Sequence, residues 1–304
     1  MRTARKLRPH IILATARSYP LTPSDARLAG ALEERGARVT ARPWDAISPL
    51  ASNGALVVLR STWDYHRRPA EFRAWVEAWA DGPPALWNPP ATVLWNMDKI
   101  YLRDLATRGI SLPPTRWTEP GRPPDVNGFL AETGAAAAVV KPRVSATAWG
   151  TLLVESSGGL EGVDRAPLVA SGAVIQAFVP EIRTRGELSL VFVDGRFRHA
   201  VRKFPAAGDF RVQSEFGGGV EPCEAGDEER AFGESVLAAI GHPWLYARVD
   251  LVQAGGGPVL MELELIEPSL FFELDPGAAA ALADAILAIG DPRAPGPDYE
   301  AVTR

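Results

Sequence analysis

The stretch YARVDLVQAGGGPVLMELELIEPS, from Tyr246 to Ser269, constrains the fold more tightly than any other part of the chain. Two apolar runs flank a glycine turn, the pattern of a β-hairpin. Asp250 stands in the first run, Glu262 and Glu264 in the second, and Glu267 just beyond it. Alternation along VLMELEL puts Glu262 and Glu264 on one face and Met261, Leu263 and Leu265 on the other. Like charges side by side on a strand repel, and the apolar flanks predict a central strand, so the pair calls for a counter-charge. A divalent cation is one: Mg²⁺ takes carboxylate oxygens alongside phosphate oxygens, and Asp250 across the hairpin could meet the same ion. The other reading is a solvated strand face whose acids pair with neighbouring lysines or arginines.

Composition narrows the classes around this hairpin. With 304 residues, 46% hydrophobic and 23% charged, the chain reads as a soluble globular protein of two or three lobes. A net charge of −5 without a large basic cluster disfavours nucleic acid as a partner. Cys223 is the single cysteine, so neither an intramolecular disulfide nor a cysteine zinc site is available, and a reducing, cytoplasmic location is expected. The apolar run HIILATA is too short for a signal-peptide core or a membrane span and reads as a buried first strand. His10, His66, His199 and His242 are scattered, and neither GxSxG nor HExxH occurs, which argues against a hydrolytic triad or a zinc hydrolase.

In chain order, residues 10–16 predict a strand and Pro23–Arg35 a helix, capped by Thr22 or Ser24 and stopped by Gly36. Short β-like runs follow at Arg38–Pro43 and Ala55–Leu59, giving an open α/β lobe with a parallel core. The loop RSTWDYH then leaves a strand at its carboxyl end, where open α/β sheets place ligands. Arg60, Ser61, Trp63, Asp64 and Tyr65 are therefore substrate-site candidates, the alternative being a surface loop with a packed tryptophan. A helix from Thr92 to Arg108 carries Lys99, and proline pairs at 113–114 and 123–124 mark a hinge, placing a boundary near 112. AAVVKP is a strand ending in Lys141, followed by the small-residue segment PRVSATAWG and the strand TLLVES. Backbone N–H groups of such a loop can close over phosphates while the lysine supplies a point charge. AVIQAFV at 173–179 is an apolar strand whose free edge could read a purine base, with Glu181 just after it. GELSLVFVDGRFRHAVRKFP reads as a hairpin turning at Asp194-Gly195, with Glu187 at its start and Arg202 and Lys203 at its end. Arg211 follows in GDFRVQ, a helix spans Glu224–Ile240, and Pro276–Ile289 is the last helix before a frayed end.

Taken together and in this order, these segments resemble the ATP-grasp superfamily from about Trp95 to Leu287, with a preceding lobe that resembles the pre-ATP-grasp domain. The resemblance implies an α/β chain of α+β lobes, divided at 1–112, 113–181 and 182–304 into a substrate-side domain, a lid and a catalytic subdomain. It also implies ATP and Mg²⁺ as cofactors. Lys99 and Lys141 would contact phosphates, with Ser145 in the mobile loop, Gln176, Ala177, Phe178 and Val179 at the adenine, Glu181 at the ribose, and Glu187 nearby. Asp250, Glu262 and Glu264 would hold the metal. Arg211 would steady the transferred phosphoryl group, with Arg202 a second candidate for the substrate carboxylate, and Glu267 and Ser269 would join the substrate set. RSTWDYH, LWNP, the WNMDK helix and ELELIEPSLFF look most like the cycloserine-synthetase branch, and GDFR is similar to glutathione-synthetase-like and ribosomal-protein-glutamate-ligase-like members. Glu264 stands where those relatives usually carry asparagine, and the lid segment is poorer in glycine than usual. The implied reaction joins a carboxylate to an amine through an acyl phosphate with release of ADP, within one amino-acid derivative or between two molecules. An ATP-binding protein without turnover is the non-enzymatic alternative. Small-molecule carboxylate and amine substrates are the implied partners, with a homodimer as the assembly and no nucleic acid or membrane.

Overall fold

Three sheets organise the computed structural model of the chain, which describes residues 8–52, 54–81, 85–155, 160, 164–212 and 216–289. The first is built from β1 (His10–Thr15), α1 (Pro23–Glu34), β2 (Arg38–Pro43), β3 (Leu56–Leu59), α2 (Pro69–Glu77) and β4 (Leu86–Trp87). Its strands are parallel in the order β2-β1-β3-β4. The run LVVL of β3 is buried throughout, as a parallel strand covered on both faces requires. Thr22 starts α1 by accepting the Asp25 amide at 3.0 Å, and Pro23 occupies the first turn, where its missing N–H costs nothing.

The single helix expected over 92–108 is two, α3 (Pro90–Asn96) and α4 (Tyr101–Thr107). Asp98 explains the break. Its Oδ1 accepts the Ile100 amide at 3.0 Å and the Arg143 guanidinium at 2.9 Å, bonds that compete with helical pairing. Lys99 therefore sits in a turn. Tyr101, Leu102 and Leu105 of α4 join the core beneath the third sheet.

The second sheet holds β5 (Thr115–Trp117), α5 (Val126–Thr133), β6 (Ala137–Pro142), β7 (Leu152–Glu155), α6 (Ala166–Ala170) and β8 (Ala173–Ala177), with antiparallel order β5-β8-β6-β7. Strand β8 is interior, which corrects the expected free edge. The amides of Ala177 and Phe178 are taken by the carbonyls of Pro114 and Ala137 at 2.8 and 2.9 Å. Only from Val179 onward does the backbone leave the ladder.

The third sheet comprises α7 (Ile182–Arg185), β9 (Glu187–Val193), β10 (Arg196–Phe204), β11 (Gly219–Cys223), α8 (Asp227–Ala238), β12 (Tyr246–Ala254), β13 (Gly257–Glu264) and α9 (Pro276–Ile289), ordered β11-β10-β9-β12-β13. Asp194 and Gly195 turn β9 into β10 with φ of +51° and +72°, the two left-handed residues that a tight hairpin turn needs. Helices α1 and α9 pack Leu28 and Leu32 with Leu282 and Ile286, so the first and third sheets share a core. The end of the chain, expected to fray, lies outside the described residues. Among the described residues no helix is long and apolar enough to cross a membrane.

The acidic hairpin is β12–β13, with two departures from the sequence reading. β13 is an edge strand, not a central one. A bulge between Asp250 and Leu251 also inserts one extra residue into β13, so that Leu260 and Leu263 both point into the apolar core while Met261 emerges beside the acids. The exposed edge is closed by side chains. Asn96 donates to the Leu263 carbonyl and accepts the Leu265 amide, both at 2.9 Å, as a strand would. The Tyr101 hydroxyl accepts the Leu263 amide at 3.0 Å. Asn88 ties the same strands to the first sheet through the Tyr246 and Leu265 carbonyls and the Leu245 amide.

Candidate active site

A cleft of about 460 Å³ lies between the second and third sheets and loops of the N-terminal lobe. Loop residues after β3, the α3–α4 turn, β6 with its following loop, the end of β8, and β9, β10, β12 and β13 all reach it. Lys99, Lys141, Ser145, Gln176, Ala177, Phe178, Val179, Glu187, Arg211, Glu262, Glu264, Trp63, Tyr65, Glu267 and Ser269 line it as a set. Glu181 does not; it sits half-buried at the start of α7, beside the lining residues Val179 and Ile182.

The cations differ in how they are held. Lys99 lies 3.0 Å from Glu262 and donates to the Ser145 carbonyl at 2.7 Å, joining the turn, the edge strand and the loop after β6. Lys141, buried at 9% exposure, makes no hydrogen bond or ion pair with a described residue. Burial pulls its pKa below the usual lysine value, against the field of Glu262. Its ammonium faces the cleft with no hydrogen-bond partner among the described residues, an arrangement that a phosphate would complete. Arg211 is gripped by Asp209 at 2.7 Å and covers the Phe216 ring at 3.5 Å from its centroid. The downstream positions 213–215 of the GDFRVQ segment and its continuation lie outside the described residues.

Asp250 departs from the expected metal trio. Arg248 grips it with two bonds of 2.9 Å, Lys203 approaches to 3.0 Å and the Ser189 hydroxyl donates at 2.6 Å. Burial opposes the charged form, but Arg248 and Lys203 hold the carboxyl well below the usual range. Arg248 reaches Glu264 as well and so stands between the two acids. Among the described residues no three histidine, cysteine or acidic side chains are arranged to hold a metal ion. What remains is the pair Glu262 and Glu264, whose side chains are 28% and 29% exposed toward the cleft. Burial raises the pKa of Glu264 to about 7, with the charges of Asp250 and Glu262 adding to it. Burial acts the same way on Glu262, but Lys99 and Lys141 outweigh it and lower that pKa. Lys99 and Arg248 each hold one of the two acids, and the carboxylates still open to the cleft fit a hard cation that draws its other ligands from phosphate oxygens.

Period-two logic explains what the sequence reading mistook on β10. Arg202 and Lys203 are neighbours, so they face opposite sides. Lys203 takes the buried side and bridges Glu187 at 2.5 Å and Asp250, whereas Arg202 donates to the Arg185 carbonyl at 2.9 Å, away from the cleft. Arg202 is therefore corrected out of the site and Lys203 enters it. Arg248 was legible by the same rule, two residues before Asp250 on one face.

The loop after β3 splits in the same way. Trp63 and Tyr65 reach the cleft, and the Trp63 indole donates to the Glu267 carbonyl at 3.0 Å. Arg60 does not reach it: it is 1% exposed, paired with Asp25 at 2.7 Å, bonded to the Pro268 carbonyl at 2.7 Å and packed over Tyr246. Ser61 donates to the Tyr19 and Pro20 carbonyls, and Asp64 accepts the Trp44 indole and pairs with Arg68. These three are internal struts of the N-terminal lobe.

The loop after β6 carries Thr147 and Ala148 at φ of +51° and +54°, a left-handed conformation that side chains resist. Next to them Trp149 lies 5.2 Å from the His66 ring, which burial keeps neutral with a pKa of about 4. This contact ties the loop to the N-terminal lobe across the cleft.

Comparison with known proteins agrees with this geometry. Residues 11–88 match the family model described as D-cycloserine synthetase DcsG, N-terminal domain. The cycloserine biosynthesis protein DcsG of Streptomyces lavendulae is 34% identical over 248 residues, 76% of this chain and 81% of that protein. The crystal structure of D-cycloserine synthetase DcsG superposes with a TM-score of 0.81 at 28% identity, covering 93% of this chain and all of that one. The ATP-grasp ligase PsnB, solved with a precursor variant, Mg and ADP, shares the fold at a TM-score of 0.63 and 17% identity over 92% of this chain and 98% of its own. The chain belongs to the D-cycloserine synthetase family of ATP-grasp ligases, an ADP-forming, carbon–nitrogen bond-making group.

Proposed function

We propose that the chain activates the carboxylate of one small amino-acid derivative with ATP and closes it onto a nitrogen of the same molecule. The observation that carries this reading is a cleft lined together by Lys141, whose ammonium has no partner among the described residues, the acid pair Glu262–Glu264 and the aromatic side chains Trp63, Tyr65 and Phe271. The 34% identity to DcsG supports it. A substrate carboxylate oxygen attacks the γ-phosphorus of ATP, ADP departs, the nitrogen adds to the acyl carbon, and inorganic phosphate leaves. No side-chain nucleophile is needed. Lys141 and Lys99 neutralise the triphosphate, and Arg211 steadies the transferred phosphoryl group. The amide of Val179, which donates to no described residue, faces the purine, with Glu181 at the ribose. Glu262 and Glu264 would hold Mg²⁺, which would supply charge neutralisation on the phosphate oxygens when bound.

Water must be excluded, because an acyl phosphate hydrolyses, and the loop over 142–150 serves as the lid. The segments 1–112, 113–181 and 182–304 act as substrate-side, lid and catalytic units, working as a homodimer in a reducing, cytoplasmic compartment. ADP release with MgATP across free amino acids, dipeptides and O-ureidoserine of both hands, with mass spectrometry of products, tests the reading. A cyclised product from one compound supports it. A condensed pair replaces it with an intermolecular ligase, and silence with intact ATP binding overturns it.

A further inference from the structure

The charged side chains lining the cleft mostly answer one another: Lys99 and Glu262, Arg248 and Glu264, Lys203 and Glu187. Lys141 and Glu267 do not. The carboxylate of Glu267 has no hydrogen bond or ion pair with a described residue, although it is only 9% exposed and opens into the cleft. Burial raises its pKa well above the ordinary value, and the charges of Glu264 and Glu262 push the same way, against Lys99 and Arg248. Its backbone is fixed, since its carbonyl accepts the Trp63 indole at 3.0 Å. Trp63, Tyr65 and Phe271 complete this part of the wall.

A carboxylate that opens into a cleft and has no partner among the described residues is free to take one from a ligand. The missing partner is a cation, and aromatic faces favour an organic cation over a bare metal ion. Among the described residues no third acid joins Glu262 and Glu264 to make a metal cage. We propose that Glu267 binds the ammonium group of the substrate, so that the acceptor site selects zwitterionic amino-acid derivatives over simple carboxylic acids. This assignment rests on the ligase reading above and specifies which charge the substrate carries beyond its reacting groups.

The test compares O-ureidoserine with its deamino analogue, 3-(ureidooxy)propanoate, which keeps both the carboxylate and the reacting nitrogen. Wild-type enzyme is expected to prefer the amino compound by about tenfold to a hundredfold in kcat/KM, the range for a hydrogen bond to a charged group. Glu267→Gln, isosteric and uncharged, is expected to collapse that ratio to near one through the KM of the amino compound, leaving the KM for ATP unchanged. Equal turnover of both compounds by wild type overturns the assignment. So does a Glu267→Gln enzyme slowed equally on both, because that result marks an acid serving the cleft as a whole. If neither compound turns over, the ligase reading has failed, and calorimetry with the MgADP-loaded protein decides the ammonium question separately. Tighter binding of the amino compound by wild type, lost in Glu267→Gln, upholds it; equal or absent binding of the amino compound overturns it.

Discussion

Replacing Lys141 with methionine separates a ligand-binding ammonium from a structural one, because the two predict opposite signs. Methionine keeps most of the side-chain stem and removes only the charge. In the protein alone that charge is buried with no ion pair to a described residue, so its loss relieves a desolvation cost and strands no described partner. The melting temperature of Lys141→Met is expected to equal or exceed that of wild type. Turnover moves the other way: one preorganised contact to a phosphate is worth about 3 kcal/mol in the transition state, on the order of a hundredfold in kcat. Lys203→Met is the internal control. Lys203 stands between Glu187 and Asp250, and its loss leaves two buried carboxylates short of a cation, at a cost of about 3–5 kcal/mol. Urea unfolding of both variants, alongside ADP release with the acceptor identified by the panel, reads both axes. Equal destabilisation by the two substitutions, or near-normal turnover by Lys141→Met, would refute the assignment of Lys141 to phosphate.

Three further outcomes follow from the geometry. Arg60→Met strands Asp25 in the core and is expected to lower unfolding free energy by about 3–5 kcal/mol, while the folded fraction keeps its ATP affinity, measured by urea titration and nucleotide calorimetry. Arg202→Ala, outside the cleft, is expected to leave kcat/KM within about twofold of wild type in the same ADP assay. The apparent Mg²⁺ affinity is expected to weaken as pH falls from 8 to 6: Glu264 is protonated below its pKa of about 7 and must ionise to bind, which gives a dependence approaching about tenfold per pH unit. A Mg²⁺ titration of activity at each pH checks this, and Glu264→Gln should flatten the profile.

The legible parts of the fold were those set by local rules. The Asp194-Gly195 turn and the Thr22 cap act over a few residues, and each appears where the sequence puts it. The parallel N-terminal sheet followed from the order of its strands. Misreadings arose where one long-range partner overrode a local rule. Asp98 bonds Arg143, 45 residues away, and splits a helix. Arg60 meets Asp25 and the Pro268 carbonyl, so a loop arginine becomes a core strut. The bulge at Met261 has no signal in the alternation itself, which runs unbroken through the sequence. Arg202 and Lys203 changed roles for the same kind of reason: counting back from the hairpin turn sets Arg202 opposite Glu187, but a bulge between Phe197 and His199 shifts the register and puts Lys203 there. The unmatched charge on Lys141, by contrast, becomes visible only when every nearby acid has been assigned to another base.

The side-chain closure of β13 bears on how the chain is made. Asn96 supplies the strand-like pairing for residues that follow it by 167 and 169 positions, so the cover is synthesised long before the strand it protects. During translation the bare margin of β13 emerges to find its cover already present. A fragment beginning after residue 112 reverses that order: it carries the acidic edge strand without Asn96, Tyr101 or the Ser111 carbonyl, and an open edge of this kind recruits other chains. The part of the molecule that carries the third sheet is thus expected to depend on the N-terminal third for its solubility.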